Sequence, residues 1–150
     1  MQKILFYGGS FDPPHRIHRA LLAAALELTQ ADLALVVPTG NASGSHNLRL
    51  SSSKTRANDD LGGMLAKMGT GLFVTELLGS GVNYVTGDYS RGVCGFWVEN
   101  GVIVHPVQEI TIAGNLTDMF KHLVAVGADE LVRGTKQTGS ILIETMTIAG

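Results

Sequence analysis

The stretch from Gly79 to Asn115 reads GSGVNYVTGDYSRGVCGFWVENGVIVHPVQEITIAGN and is the most densely specified part of the chain. Two apolar runs, Val93–Glu99 and Val102–Ile112, flank the pair Asn100-Gly101. An Asn-Gly pair between apolar runs is a strong signal for a β-hairpin, because both residues tolerate the positive φ of a type I′ turn. The sequence therefore predicts a hairpin here, and we expect it to organise the chain from about residue 41 onward.

Periodicity and capping signals predict the elements on either side of this hairpin. A glycine-spaced polar loop, Thr86–Gly92, precedes it, and Asn115 is a candidate N-cap for a helix that would continue to Gly127. A second helix, capped by Asn58, would place Leu61, Met64, Leu65 and Met68 on one face. Strands are predicted over the runs Asn47–Leu50, Leu72–Leu78, Glu130–Arg133 and Ile141–Ile148.

Composition excludes several classes of protein. A chain of 150 residues with a net charge of −2 has the length of one ordinary domain and no basic surface for nucleic acid or an anionic membrane. No apolar run approaches the roughly 20 residues that span a bilayer. The lone cysteine, Cys94, cannot form an internal disulfide and suits a reducing compartment. We therefore expect a cytoplasmic α/β or α+β domain.

The first forty residues follow a different pattern from the rest. Lys3–Tyr7 is a short apolar run that ends at two glycines, and Asp32–Val37 is a second run stopped by Pro38. Between them, from about Arg16, apolar residues recur at helical spacing. Strand, helix and strand with short links predict a Rossmann-like βαβ unit with two parallel strands.

The loop after the first strand carries the motif GGSFDPPHRIH, residues 8–18. This motif closely resembles the signature of nicotinate-mononucleotide adenylyltransferases, in the HxGH nucleotidyltransferase family. At the start of a helix, His15 and His18 would share one face, where free backbone N–H groups attract anions. The resemblance implies that these two histidines bind and stabilise the triphosphate of ATP during adenylyl transfer, with ATP as the ligand and no further cofactor. The residues implied to bind the nucleotide are Gly8, Gly9, Ser10, Phe11 and Asp12.

Two features of this segment limit the resemblance. Ile17 stands where the family has a glycine between its histidines, and its side chain would crowd the helix start. A second family motif, which grips the phosphates, resembles the run Leu50–Arg56 and adds Arg56 as a candidate nucleotide contact, but this run comes far earlier in the chain than in the family. The alternative interpretation is that the histidines only cap a helix.

The remaining residues resemble the C-terminal domain of the TldD/PmbA family. The residues that carry this resemblance are the segments MGTGLFVTEL (68–77), GDYSRG (87–92), GFWVENG (95–101), EITIAGNL (109–116) and MTIAG (146–150). The form is PmbA-like, because the HExxxH motif and the later cysteine of TldD-type metallopeptidases are absent from the sequence. The resemblance implies a subunit that binds no metal and joins a TldD-like chain in a peptide-cleaving complex. Sheet edges left exposed without such a partner would favour self-association. His105, His122 and Cys94 lack ligand or nucleophile spacing and are expected to be structural or surface residues.

The sequence as a whole predicts an α+β fold, with a β-rich C-terminal body and an N-terminal βαβ unit. Its domains are a nucleotidyltransferase-like segment, 1–40, and a TldD/PmbA-like domain, 41–150. The leading hypothesis for function is a non-catalytic PmbA-like domain of a metallopeptidase complex, and the alternative is a nicotinate-nucleotide adenylyltransferase-like enzyme. A natural fusion, a deliberate recombination and a join made in assembling the sequence would all produce this arrangement.

Overall fold

A computed structural model describes residues 2–6, 33–36, 48–79, 81–133 and 136–150. The helices of this part are α1 (Leu61–Met68) and α2 (Leu116–Lys121). Its strands are β1 (Gln2–Phe6), β2 (Leu33–Val36), β3 (Leu48–Ser52), β4 (Gly71–Leu78), β5 (Asp88–Glu99), β6 (Val102–Asn115), β7 (Leu123–Val126), β8 (Leu131–Arg133), β9 (Lys136–Thr138) and β10 (Ile141–Ala149). The described part of the chain is therefore rich in strands and has few helices, which agrees with the predicted β-rich body of the α+β fold. Neither described helix has the length and apolar character needed to cross a membrane.

Five strands of the larger sheet close into a ring. The antiparallel pairs β4–β5, β5–β6 and β6–β10 form most of it. β1 completes it, because it runs parallel to β4 on one side and antiparallel to β10 on the other. β7 pairs with the first half of β10, next to the part that pairs with β6. A closed ring satisfies backbone groups that would otherwise form sheet edges.

The smaller sheet has the strand order β2-β3-β9-β8. Its pairs are antiparallel except for β3 and β9, which run parallel. Two hydrogen bonds tie the segment after β3 to the end of β7: the Thr55 hydroxyl donates to the Val126 carbonyl at 2.7 Å, and the Ala128 amide donates to the Asp59 carbonyl at 2.7 Å. These bonds connect the two sheets through backbone acceptors.

The predicted hairpin is confirmed. Asn100 has φ 52° and Gly101 has φ 78°, as a type I′ turn requires. The turn packs on the end of α1, where the Gly101 amide donates to the Gly69 carbonyl at 2.8 Å. The paired strands are longer than predicted, since β5 already begins at Asp88 inside the expected polar loop.

Two clusters of buried side chains form the core of the described residues. In β4, Leu72 and Val74 belong to one cluster while Phe73 belongs to the other, as the alternation of a strand requires. In β10, Ile141 and Ile143 likewise belong to the first cluster and Leu142 to the second, so β4 and β10 are each buried on both faces. The first cluster consists of Leu72, Val74, Tyr89, Val93, Ile112, Leu116, Met119, Ile141, Ile143 and Met146. The second, which includes the apolar face of α1, consists of Met64, Leu65, Met68, Phe73, Val98 and Leu142.

The predicted N-terminal βαβ unit is not supported. Its two strands lie in different sheets, because β1 pairs with β4 and β10 whereas β2 pairs antiparallel with β3. The helix predicted between them lies outside the described residues. The physical reason is that closing the ring satisfies the backbone of β1 on both sides, which a parallel pairing with β2 would not do.

Two further local predictions need correction, and one short strand was missed. Asp60, not Asn58, caps α1 by accepting from the Gly63 amide at 2.8 Å. α2 has the predicted cap at Asn115 but ends at Lys121, and the apolar residues that follow form β7. β9 was not predicted at all, because a polar strand of three residues carries no periodic signal.

Candidate functional site

The predicted nucleotide site falls almost entirely outside the described residues. The residues concerned are Gly8, Gly9, Ser10, Phe11, Asp12, His15 and His18. The one described member, Arg56, is exposed in the turn after β3. Its backbone amide donates to a carboxylate oxygen of Asp59 at 2.9 Å, so that donor is already used. A role for these residues in nucleotide binding stays a prediction.

Asp59 holds this turn in place. The side chain is almost fully buried, and Lys67 Nζ lies 2.6 Å from Asp59 Oδ1. The hydrogen bond from Lys67 and the one from the Arg56 amide hold the pKa of Asp59 below its usual value, and they outweigh burial, which acts in the opposite direction. The carboxylate therefore works as a structural anion that joins the turn to α1.

The histidines and the cysteine of the described region are scattered. The His122 ring lies 2.8 Å from the Asp118 carbonyl, and the exposed His105 ring lies 3.2 Å from the Pro106 carbonyl. Cys94 is partly buried in β5. Within the ranges that the structure covers, no three His, Cys, Asp or Glu side chains lie close enough together to hold a metal ion. The prediction that the chain binds no metal awaits a direct test.

A polar cluster around Asp88 joins the start of β5 to the start of α2. The Thr86 hydroxyl donates to Asp88 at 2.6 Å, and the Asn115 amide nitrogen contacts Asp88 at 3.3 Å and the Thr86 carbonyl at 2.9 Å. The hydrogen bonds from Thr86 and then Asn115 lower the pKa of Asp88. Asn115 also caps α2 by accepting from the Thr117 amide at 3.0 Å. Since these polar groups bind one another, the cluster stabilises a corner of the fold. Asp88 and Asn115 belong to the segments that carry the TldD/PmbA resemblance, so these segments have a structural role here.

The first part of β6 presents an exposed apolar surface, which we name the β6 strip: Val102, Ile103 and Val104. All three side chains are more than two-fifths exposed, so the strip shows apolar groups on both faces. β5 pairs along one edge of it. Along the other edge, β6 pairs with β10 only at Thr111–Ala113, and no described strand covers the strip.

An apolar strand with an uncovered edge is the kind of surface that binds another polypeptide. Sequence reasoning predicted β6 but not this exposure. The signal available was the unbroken Val-Ile-Val run, where a strand with one solvated face would alternate polar and apolar residues. Two features shorten the edge beyond the strip: Pro106 lacks an amide donor, and Glu109 forms a bulge with φ 56°.

Comparison with known proteins assigns the chain to a family. The model of the PmbA/TldA metallopeptidase C-terminal domain matches residues 21–150. Metalloprotease PmbA of Escherichia coli O157:H7 is 54% identical over 112 residues, which are 75% of this chain and 24% of that protein. The crystal structure of a proposed modulator of DNA gyrase from Thermotoga maritima superposes with a TM-score of 0.64 at 34% identity, over 73% of this chain and 26% of that one.

A shorter match concerns a different family. A chain of Albidiferax ferrireducens assigned as a nicotinate-nucleotide adenylyltransferase is 55% identical over 42 residues, which are 28% of this chain and 21% of that protein. The match to the PmbA/TldA model covers most of the sequence, so this chain belongs to that family. The part of the family that it matches is the C-terminal domain. It spans about a quarter of the length of the curated PmbA relatives that it matches.

Proposed function

We propose that this member of the PmbA/TldA family acts as the C-terminal domain of a PmbA-type subunit, which joins a TldD-like chain in a peptide-processing complex and holds no metal itself. The proposal is supported by the family match over residues 21–150 together with the PmbA-like form of the sequence. Residues 1–150 contain no HExxxH motif that would supply metal ligands and a general base. The lone Cys94 suits a cytoplasmic setting.

The name metalloprotease belongs to relatives about three times as long as this chain. A hydrolytic metal site needs about three protein ligands. The metal ligands of a protein named metalloprotease need not lie in the quarter of its length that matches this chain. The role that we assign to this domain is therefore to contribute surface to the complex and not the reacting groups.

The β6 strip is the surface that we assign to the partner. Its exposed valine and isoleucine side chains would leave water on association, and its uncovered backbone edge could pair with an extended strand of a TldD-like chain. A second copy of this chain is the competing occupant. Pro106 and the bulge at Glu109 would restrict pairing to a short segment, so side-chain burial has to supply much of the affinity.

The proposal can be tested by mixing the purified chain with a TldD-like protein and measuring mass by light scattering and affinity by calorimetry. Val104→Glu should weaken association by about tenfold or more, or roughly 1.4 kcal/mol, because a charge would replace a buried apolar contact. Val124→Glu is the matched control. Val124 is 51% exposed and Val104 is 53% exposed, but Val124 lies in β7, which pairs with the opposite end of β10 from β6.

Each outcome bears on the proposal. Association that Val104→Glu weakens and Val124→Glu leaves unchanged supports the β6 strip as the interface. Equal effects of the two variants would refute the strip as the interface. Self-association without binding of a TldD-like chain would replace the proposed partner by a second copy.

A second candidate function is supported by the adenylyltransferase match over 42 residues. Under this hypothesis residues 1–40 form a nucleotide-binding segment, with His15 and His18 at the phosphates, and residues 41–150 form the TldD/PmbA-like domain. The family match begins at residue 21 and so reaches into that segment. Release of pyrophosphate from ATP and nicotinate mononucleotide, lost in the His15→Ala/His18→Ala variant, would favour this candidate.

A further inference from the structure

The gap between β4 and β10 holds a strand that comes from outside the family match. β1 lies between these two strands, with Cα partners from Lys3↔Gly71 to Phe6↔Val74 on one side and from Gln2↔Met146 to Phe6↔Ile141 on the other. The match to the family model begins only at residue 21. The ring is therefore completed by a segment that is not part of the matched domain.

Both walls of this gap favour an apolar strand. Leu72 and Val74 of β4 are fully buried, and Leu142 and Ile143 of β10 are 0% and 1% exposed. β4 and β10 each contribute to both core clusters, so a strand between them is enclosed on both faces. A strand in this position is favoured to carry apolar residues, and three of the five residues of β1, Ile4, Leu5 and Phe6, are apolar.

Gly71 permits the close approach of the inserted strand. A Cβ atom at this position would collide with the carbonyl oxygen of Lys3. The inserted strand is recognised through backbone hydrogen bonds on its two sides. Its binding therefore depends mainly on an extended conformation with apolar side chains and less on a particular sequence. This explains how residues that resemble a different family can occupy the gap.

We propose that the gap between β4 and β10 is a binding site for an extended apolar strand, which this chain fills with Gln2–Phe6 and which accepts an equivalent peptide in trans. The occupant runs parallel to β4 and antiparallel to β10. The proposal does not depend on the partner that we assign to the β6 strip, because the two surfaces involve different strand edges.

The test uses the full chain carrying Leu5→Pro. Proline in the middle of a sheet removes a ladder hydrogen bond, so the variant should lose roughly 6–12 °C in Tm. A synthetic peptide of residues 1–8, MQKILFYG, should restore at least half of that loss at millimolar concentration. The same peptide with proline in place of leucine is the matched control and should restore nothing.

A second measurement decides the matter if Leu5→Pro does not fold. The wild-type chain is unfolded in denaturant and refolded with an excess of fluorescent peptide MQKILFYG, and bound peptide is counted after gel filtration. We expect up to one wild-type peptide per chain and none of the proline peptide. An unchanged Tm for Leu5→Pro, a loss that the peptide does not reverse, or equal capture of both peptides on refolding would overturn the proposal.

Discussion

Replacing Gly101 by alanine measures how strongly the hairpin turn depends on its contact with α1. Gly101 has φ 78°, a conformation that costs a residue with a Cβ roughly 1–2 kcal/mol. A Cβ at Gly101 would also lie 3.1 Å from Ala66 Cα and 3.4 Å from Ala66 N, so the backbone of α1 would have to move. Such overpacking adds about 1 kcal/mol or more. We expect Gly101→Ala to reduce the free energy of unfolding by about 2–3 kcal/mol in total.

Gly79 provides the matched control. Its φ is 67°, close to that of Gly101, but a Cβ there would meet no atom within 4 Å. Gly79→Ala should therefore cost only the conformational term of roughly 1–2 kcal/mol. Gly101→Val places two more carbon atoms against Ala66 and should cost more than Gly101→Ala.

The assay is urea unfolding followed by the fluorescence of Trp97, with the slope m compared among the variants. An unchanged m means that a shift in midpoint reports a change in stability. If Gly101→Ala costs no more than Gly79→Ala, the contact between the turn and α1 does not contribute, and the reasoning from the hairpin geometry fails.

Four further predictions concern other parts of the chain. Glu109→Gly should stabilise the protein by about 0.5–1 kcal/mol in the same assay, because Glu109 has φ 56° and glycine adopts this conformation without strain; a loss of stability would contradict the role of the bulge. Asp59→Asn should make the protein less stable at pH 7 and flatten its pH dependence: the pKa of Asp59 is lowered in the folded state by Lys67, so the stabilisation is present above its unfolded pKa and is lost as pH falls through the folded value. Thermal melts between pH 7 and pH 2 check this, and parallel profiles for the two proteins would refute it. Elemental analysis of protein purified without a histidine tag should find no stoichiometric zinc or iron, and near one metal per chain would overturn the expectation. Calorimetry should detect ATP binding with a dissociation constant in the high-micromolar to millimolar range, which is a binding free energy of about −4 to −6 kcal/mol. The variant His15→Ala/His18→Ala should lose this binding, and neither protein should transfer AMP.

The elements that could be predicted are those whose signals are local. The Asn100-Gly101 turn fixes two strands because the conformation it needs is encoded in two adjacent residues. Asn115 was predicted as an N-cap for the same reason, since a cap acts within one helical turn. Local signals failed when tertiary pairing competed with them: Leu123 continues the helical stripe of α2, yet it pairs with Ile143 of β10 and lies in β7.

The candidate surface was less predictable than the fold. Whether Val104 is exposed depends on which strands cover β6, and β6 meets β10 only at its far end. The sequence run indicates an apolar strand but does not say whether that strand is buried or open. The PmbA/TldA family could be recognised from motifs, because a motif preserves spacing along the chain and does not require knowledge of the strand pairings.

The ring closes between the two ends of the sequence, which explains why periodicity alone pointed to an N-terminal βαβ unit that the strand pairings do not support. Ile4 and Ile143 are Cα partners although nearly the whole chain separates them, so no window of neighbouring residues contains both. Within its own window, β1 followed by a helical pattern and a second apolar run fits a βαβ unit well. What decides its position is the pair of backbone edges on β4 and β10, which would remain unsatisfied in a buried setting without a strand between them. A short apolar segment from outside the family match thus takes its position from the strands that it pairs with, and not from its neighbours in sequence.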